Sequence, residues 1–345
     1  MGDAGVPAAD AAAGRRASTL KDVARLAGVS VGTASRALND RAEVSAATKQ
    51  KVRSAAERLS FYPNALATGL LRGRTKSIGL LTGDVNGRFS IPILMGLEDA
   101  FGVGEMSVLM CEGRGDPERE AAHVRTLLAH RVDGLIVVGA IPDARPSIGQ
   151  HLPVPVVYAL SPSTDPRDTS VISDDAHGGR LAAEHVVAAG RRRIAYVTGN
   201  PSDRVVHDRI RGSREVLLEH GLDFVAGTPV FGDWAERWGR EVARRLLPSM
   251  GEIDAVICGN DTLARGVQDV LRAEGIRVPE DVSVVGFDNW EIVAANADPA
   301  ITSVDMNLVE IGRRSAHALD RAGGATGSGV ELVPCRLEVR ASSLA

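Results

Sequence analysis

The run "TLKDVARLAGVSVGTASRALN", Thr19 to Asn39, holds two short helical patterns joined by a turn. Thr19 and Asp22 have the spacing of a capping box. Leu20, Val23, Ala24 and Ala27 recur at helical spacing and predict one apolar face. Gly28 can take a positive φ and end that helix. Ser30 then caps a second helix from Val31 to about Asn39, with Ala34, Ala37 and Leu38 inward. A third helix follows Ser45 in "AATKQKVRSAAERL", with Val52, Ala55, Ala56 and Leu59 inward. Two helices around a Gly-containing turn predict a helix-turn-helix whose second helix lies in the major groove of DNA. A plain three-helix bundle has the same pattern.

Charge separates the two readings. The 345 residues carry a net charge of -4. Between Gly14 and Lys76, however, 13 Lys and Arg face 4 Asp and Glu, a balance of +9. From Ser77 onward, 27 basic and 38 acidic residues give -11. A basic head on an acidic body is the footprint of a DNA-binding module attached to something else.

Composition bounds the rest. At 44% hydrophobic and 24% charged residues the chain is an ordinary globular one, too long for a single core. Cys111, Cys258 and Cys335 are isolated, which fits a reducing cytosol. Residues 1–16 are Ala/Gly/Asp-rich and predict a disordered tail, with no apolar stretch of a signal peptide. No apolar run approaches the roughly 20 residues that cross a bilayer. The expected location is therefore cytoplasmic, with no membrane partner.

After the three helices comes "FYPNALATGLLRGRTKSIGLL". Pro63 suits a first helical turn, but "NALATGLL" is about two turns and contains Gly69. A helix so short is marginal alone and should order only against a partner. Arg72, Arg74 and Lys76 follow and favour phosphate.

From Ser77 the pattern changes to short β-branched runs alternating with amphipathic stretches. "SIGLLT", "SVLMC", "VDGLIVV", "VPVVYAL" and "TSVIS" predict strands of one lobe; "RIAYVTG", "DAVICGN" and "VSVVGFD" predict a second. The alternation implies parallel sheets, which bind ligands beyond the carboxyl ends of their strands. Polar residues stand at those ends: Asp84, Asn200, Ser202, Asn260, Asp261, Asp288 and Asn289. Asp261 also fits a helix cap, as do Asp116 and one of Asp174 and Asp175.

The order of residues in "DVARLAGVSVGTASRALN…YPNALATGLL" resembles the DNA-binding head and hinge of the LacI/GalR family of bacterial transcription regulators. The resemblance continues through "DDAHGGRLAAEHVVAAGRRRIAYVTG", "RIRG" from Arg209 to Gly212, "GNDTLARG" and "VSVVGFDN". It implies an all-α helix-turn-helix head and a hinge helix joined to a two-lobed α/β core with parallel sheets, built like periplasmic binding proteins. The expected boundaries are a tail at 1–16, a head at 17–62, a hinge at 63–76 and a core at 77–345. The first lobe is expected at 77–173 and 303–332, the second at 174–302 and 333–345.

By the resemblance, Val31 and Gly32 match variable base readers and Arg36 a base-reading arginine suited to guanine. Thr33, Ser35 and Asn39 fit backbone positioning, and Thr19 is a further DNA-binding candidate. Leu70 matches a leucine that wedges into the minor groove, with Asn64 and Ala67 on the same surface. Arg209, Asn260 and Asp288 match effector contacts, Trp234 a stacking ring, and Phe89 and Ile93 contributions from the first lobe. Trp290 is a candidate platform particular to this sequence. Two departures stand out: Gly69 where polar or basic residues are common, and the apolar Ala159 and Leu160 after "VPVVY".

The expected partners are pseudo-palindromic double-stranded operator DNA, a small effector of the sugar class, and a second copy of the chain. A purine would satisfy the same donors and rings, and a corepressor would use the same parts as an inducer. A pure solute-binding protein would lack the basic head. No G-x-S-x-G elbow, P-loop, HExxH or metal-ligand spacing occurs, and the eight His are scattered. The expectation is a regulator without catalysis, cofactor or metal.

Overall fold

The computed structural model describes residues 18–62, 75–149, 151–225, 229–322 and 328–344. The expected tail at 1–16 and the hinge residues Asn64, Ala67 and Leu70 lie outside the described residues. The chain divides into two compact units, one up to Thr75 and one from Lys76.

In the first unit, helices α1 (Leu20–Ala27), α2 (Val31–Leu38) and α3 (Ala46–Arg58) start where the sequence predicts. Each begins with a side-chain cap. Thr19 accepts from Asp22 N, Ser30 from Thr33 N and Ser45 from Thr48 N, and Asp22 completes a capping box. Gly28 closes α1 with φ +64°. The core is Val23, Val44 and Val52 with six alanines, which bring the helices close but remove little apolar area from water. The three caps, at about 1 kcal/mol each, therefore carry a sizeable share of this unit's stability.

The second unit holds two sheets. The first has strands β1 (Ser77–Thr82), β2 (Ser107–Glu112), β3 (Gly134–Val138), β4 (Val156–Ala159) and β5 (Thr169–Ser173). Helices α4 (Ser90–Phe101) and α5 (Pro117–Ala129) connect the earlier ones. The chain then enters the second sheet through α6 (Asp175–Ala188), β6 (Ile194–Val197), α7 (Arg204–Glu219), α8 (Glu236–Leu246), β7 (Ala255–Cys258), α9 (Asp261–Ala273) and β8 (Ser283–Phe287). After a short α10 (Glu291–Ala294) come β9 (Thr302–Asp305), α11 (Leu308–Ala322), β10 (Gly329–Val333) and β11 (Arg336–Glu338). The sheet orders are β10-β5-β4-β3-β1-β2 and β11-β9-β8-β7-β6, parallel except for the β11–β9 pair.

The expected return to the first lobe at residue 303 falls instead after Asp305. Thr302–Asp305 pairs in parallel with β8, Val285 opposite Thr302 and Phe287 opposite Val304, and Val304 is fully buried. Val333, expected in the second lobe, ends β10 in the first sheet opposite Ser173.

Helix pairs in this unit meet through reciprocal glycines. A Cβ on Gly212 would lie 1.9 Å from the Ala176 carbonyl oxygen, and one on Gly179 would lie 2.1 Å from that of Arg209. Gly96 and Gly312 do the same for α4 and α11, and Gly239 and Gly266 for α8 and α9.

Candidate functional site

On the head, Val31, Gly32 and Arg36 are exposed together at the start and outer side of α2, while Thr33 and Ser35 are half-buried. Val31 is 42% exposed, unusual for a valine with a core nearby. A Cβ at Gly32 would meet nothing closer than 3.9 Å, so packing inside the head does not demand glycine. What the glycine leaves is a bare helix N-terminus that a groove can approach closely. Thr19 is exposed, but its hydroxyl is engaged with Asp22. Asn39 donates from Nδ2 to the Ser35 carbonyl at 2.8 Å, so its side chain closes α2.

In the body, the carboxyl ends of β1, β3, β6, β7 and β8 converge on a cavity of about 100 Å³. Phe89, Arg88 and Ile141 line it from the first lobe; Asp203, Arg209, Trp234, Asn260 and Asp288 line it from the second. Through Ala140 and Ile141 it adjoins a wider hollow of about 640 Å³ on the first lobe, lined in part by the Arg145–Glu120 ion pair.

Arg209 is 2% exposed. Its Nε and Nη2 both approach Asp175 Oδ1 at 2.9 Å, its Nη1 donates to the Gly259 carbonyl at 2.6 Å, and Nη1 stands 3.6 Å from Asp288 Oδ1. The Phe287 ring lies 3.6 Å from its guanidinium carbon. Burial pushes the Asp175 carboxyl above its usual range, and the Arg209 guanidinium opposes that shift. The glycine three residues after this arginine now has a physical reason: Gly212 lets α7 close on α6, which puts Arg209 within reach of Asp175.

Asp288 sits on a strained turn. Its φ is +97° and that of Asn289 is +52°, the left-handed region that non-glycine residues rarely adopt. Four hydrogen bonds hold the turn: Asp288 N to Val304 O, Asn289 N to Ser303 Oγ, Arg340 Nη2 to Asn289 Oδ1, and Trp290 N to Asp261 Oδ2. Asp261 is buried, which raises its pKa from 3.8 to about 7, while bonds from Ser303 and Trp290 N pull the other way. The result is a carboxylate, Asp288, aimed into the cavity on a backbone that cannot relax.

Trp234 lies over Gly199, where a Cβ would be 2.2 Å from the ring, and donates from Nε1 to Asp203 Oδ2 at 2.7 Å. Asn260 lines the cavity but its amide is largely engaged: Oδ1 accepts from Leu263 N at 2.8 Å, and Nδ2 donates to the Trp234 carbonyl at 3.3 Å.

The structure thus brings Phe89, Arg209, Trp234, Asn260 and Asp288 to one cavity. Ile93 is not among its lining residues; one turn deeper than Phe89, it is fully buried in the first core, its carbonyl against Gly312. Trp290 faces the site indirectly, its ring 5.2 Å from the Arg88 guanidinium carbon. Asp84 caps α4, accepting from Phe89 N and Ser90 N. The cap of α9 is Asn260 rather than Asp261, and Asp174 caps α6, which leaves Asp175 for Arg209. Asp116 caps α5. Sequence reasoning passed over Arg88, Asp203 and Asp175 as site residues. Arg88 had one signal, a charge beside Phe89 in a loop that leaves a cleft strand.

Among the described residues there is no helix long and apolar enough to cross a membrane, and no group of His, Cys, Asp and Glu that could hold a metal.

Comparison with known proteins agrees with this geometry. Residues 19–64 match the profile of the lacI family of bacterial regulatory proteins, and residues 183–343 that of a periplasmic binding protein-like domain. The chain is 35% identical over 329 residues to the HTH-type transcriptional regulator CelR of Thermobifida fusca, covering 92% of this chain and 96% of that protein. Among solved structures, a CelR–cellobiose complex is similar with a TM-score of 0.65 and 31% identity over 94% of this chain and all of that one. The lac repressor dimer bound to operator and an anti-inducer is similar with a TM-score of 0.75 and 28% identity over 96% of this chain and all of that one.

Proposed function

The chain belongs to the lacI family of bacterial regulatory proteins, and from that membership we propose a cytoplasmic, homodimeric repressor that releases its operator when a neutral sugar binds between the lobes of its body. It regulates transcription by binding DNA and performs no chemistry on its effector. The observation that carries the effector reading is the pairing of Arg209 with Asp288 beside Trp234. A guanidinium Nη1 at the cavity wall, a carboxylate on a rigid turn and an aromatic face are groups that recognise hydroxyls and the C–H face of a sugar ring. The charges lining the cavity are two Arg and two Asp, which favours an uncharged ligand over a phosphorylated one. The relative bound to cellobiose supports the same ligand class.

On the head, Val31, Gly32 and Arg36 read bases, while Thr19, Thr33, Ser35 and Asn39 set the head on the phosphate backbone. Asn64, Ala67 and Leu70 act at the operator's centre. Effector binding alters the angle between the lobes and so the spacing of the two hinges. The coupling is reciprocal: operator DNA weakens effector binding by the factor by which effector weakens operator binding.

A thermal-shift screen of neutral mono- and disaccharides against purine bases and nucleosides tests this reading. A sugar that raises the melting temperature of the body in a concentration-dependent way supports it. A shift with purines alone overturns the sugar assignment.

A further inference from the structure

Arg88 belongs to the first lobe, on the loop from β1 to α4, yet its guanidinium pairs with Asp288 of the second. Its charge centre lies 4.9 Å from the Phe89 ring centroid and 5.2 Å from that of Trp290. The side chain is 17% exposed, and its Nε is buried without a hydrogen-bond partner. Burial lowers its pKa to about 10, so it remains a cation at neutral pH. The space left beside it is about 100 Å³, whereas pockets that hold ligands run to roughly 300–1,000 Å³.

We infer that Arg88 is a resident occupant of the effector cleft: its guanidinium takes the ligand's place between Phe89, Trp290 and Asp288, and an effector binds by displacing it. This rests on the cleft being the effector site. A guanidinium and the hydroxylated edge of a sugar offer Asp288 the same thing, a set of N–H or O–H donors in front of an aromatic face. They therefore exclude one another. Arg88 is in this way a specificity-determining residue. A ligand too small to push it aside cannot reach Asp288, and one that succeeds must bring donors of its own to that carboxylate. Displacement also removes an ion pair that joins the two lobes.

Two measurements on the full chain test the inference. The first needs no ligand: acrylamide quenching of Trp290 emission, isolated by subtracting the signal of the matching Trp290→Phe protein. Arg88→Ala should raise that quenching severalfold because the ring loses its cover; unchanged quenching overturns the placement. The second is calorimetric titration with cellobiose and with D-galactose. Arg88→Ala should bind the responding sugar about tenfold more tightly, as expected when a competing bound state is removed, and Arg88→Met should fall between. Equal or weaker binding by Arg88→Ala overturns the inference and makes Arg88 an ordinary contact or a structural residue. If neither sugar binds any variant, these two sugars are excluded as effectors, while the quenching result still decides where Arg88 lies.

Discussion

Arg209 of α7 and Asp175 of α6 meet at 2.9 Å through both Nε and Nη2, with almost no solvent contact on either side chain. The meeting depends on residues that touch no ligand. Gly179 and Gly212 let the two helices approach to backbone contact, which brings the arginine from one helix to the carboxylate at the start of the other. The proposed effector site is thus built on a helix crossing, and its chemistry is only as sound as that crossing.

Gly212→Ala tests this dependence. The new methyl would lie 1.9 Å from the Ala176 carbonyl oxygen, a fixed backbone atom, so the helices must separate. Overpacking of this kind costs about 1–3 kcal/mol or more. The midpoint of urea unfolding should fall and effector affinity should fall with it. An unchanged midpoint would show that the crossing is softer than described.

Asp261 makes stability depend on pH. Burial raises its folded pKa to about 7, whereas an unfolded aspartate titrates near 4. The folded protein therefore holds a proton that the unfolded chain has lost. That contribution is complete below about pH 4 and declines as pH rises through about 7. Asp261→Asn keeps a neutral side chain and should flatten the fall of melting temperature between pH 5 and pH 8. A variant with the wild-type slope would remove Asp261 as its source.

Arg36→Ala should lose discrimination between the operator and a guanine-substituted site, by about 1–3 kcal/mol. Affinity for random DNA should change little. A uniform loss across sequences, with a shallower salt dependence, would make Arg36 a phosphate contact instead.

Leu70→Ala should weaken operator binding while leaving effector affinity intact, and the loss should be smaller on an operator whose central step kinks easily. Operator affinity that does not change would end the wedge assignment.

The head was readable because its signals are local. A cap, a glycine stop and apolar spacing all lie within a few residues of the element they define, and Thr19, Gly28, Ser30 and Ser45 act where the sequence places them. The cleft was partly readable, because parallel sheets carry ligands at their strand ends and Asp288 and Asn260 sit there. Arg88 was not readable as a cleft residue. Its partner is 200 positions away, and no local pattern announces a side chain that crosses between lobes. Ile93 shows the opposite error: one helical turn from Phe89, it shares the face but points into the core below the cavity. The expected lobe boundary between residues 302 and 303 falls inside β9, because so short a run carries little periodicity and only pairing with β8 makes it a strand.

The central claim is that one site in the body controls the head. Arg209→Lys tests it most directly, since it keeps a cation beside buried Asp175 yet loses the fork; Arg209→Ala would strand that carboxylate at about 3–5 kcal/mol. The measurement is operator affinity, by fluorescence anisotropy, with and without a sugar identified by thermal shift. Wild type should release operator as the sugar saturates, whereas Arg209→Lys should bind operator with wild-type affinity and need at least about tenfold more sugar to release it. Release at the same sugar concentration in both proteins would contradict the account.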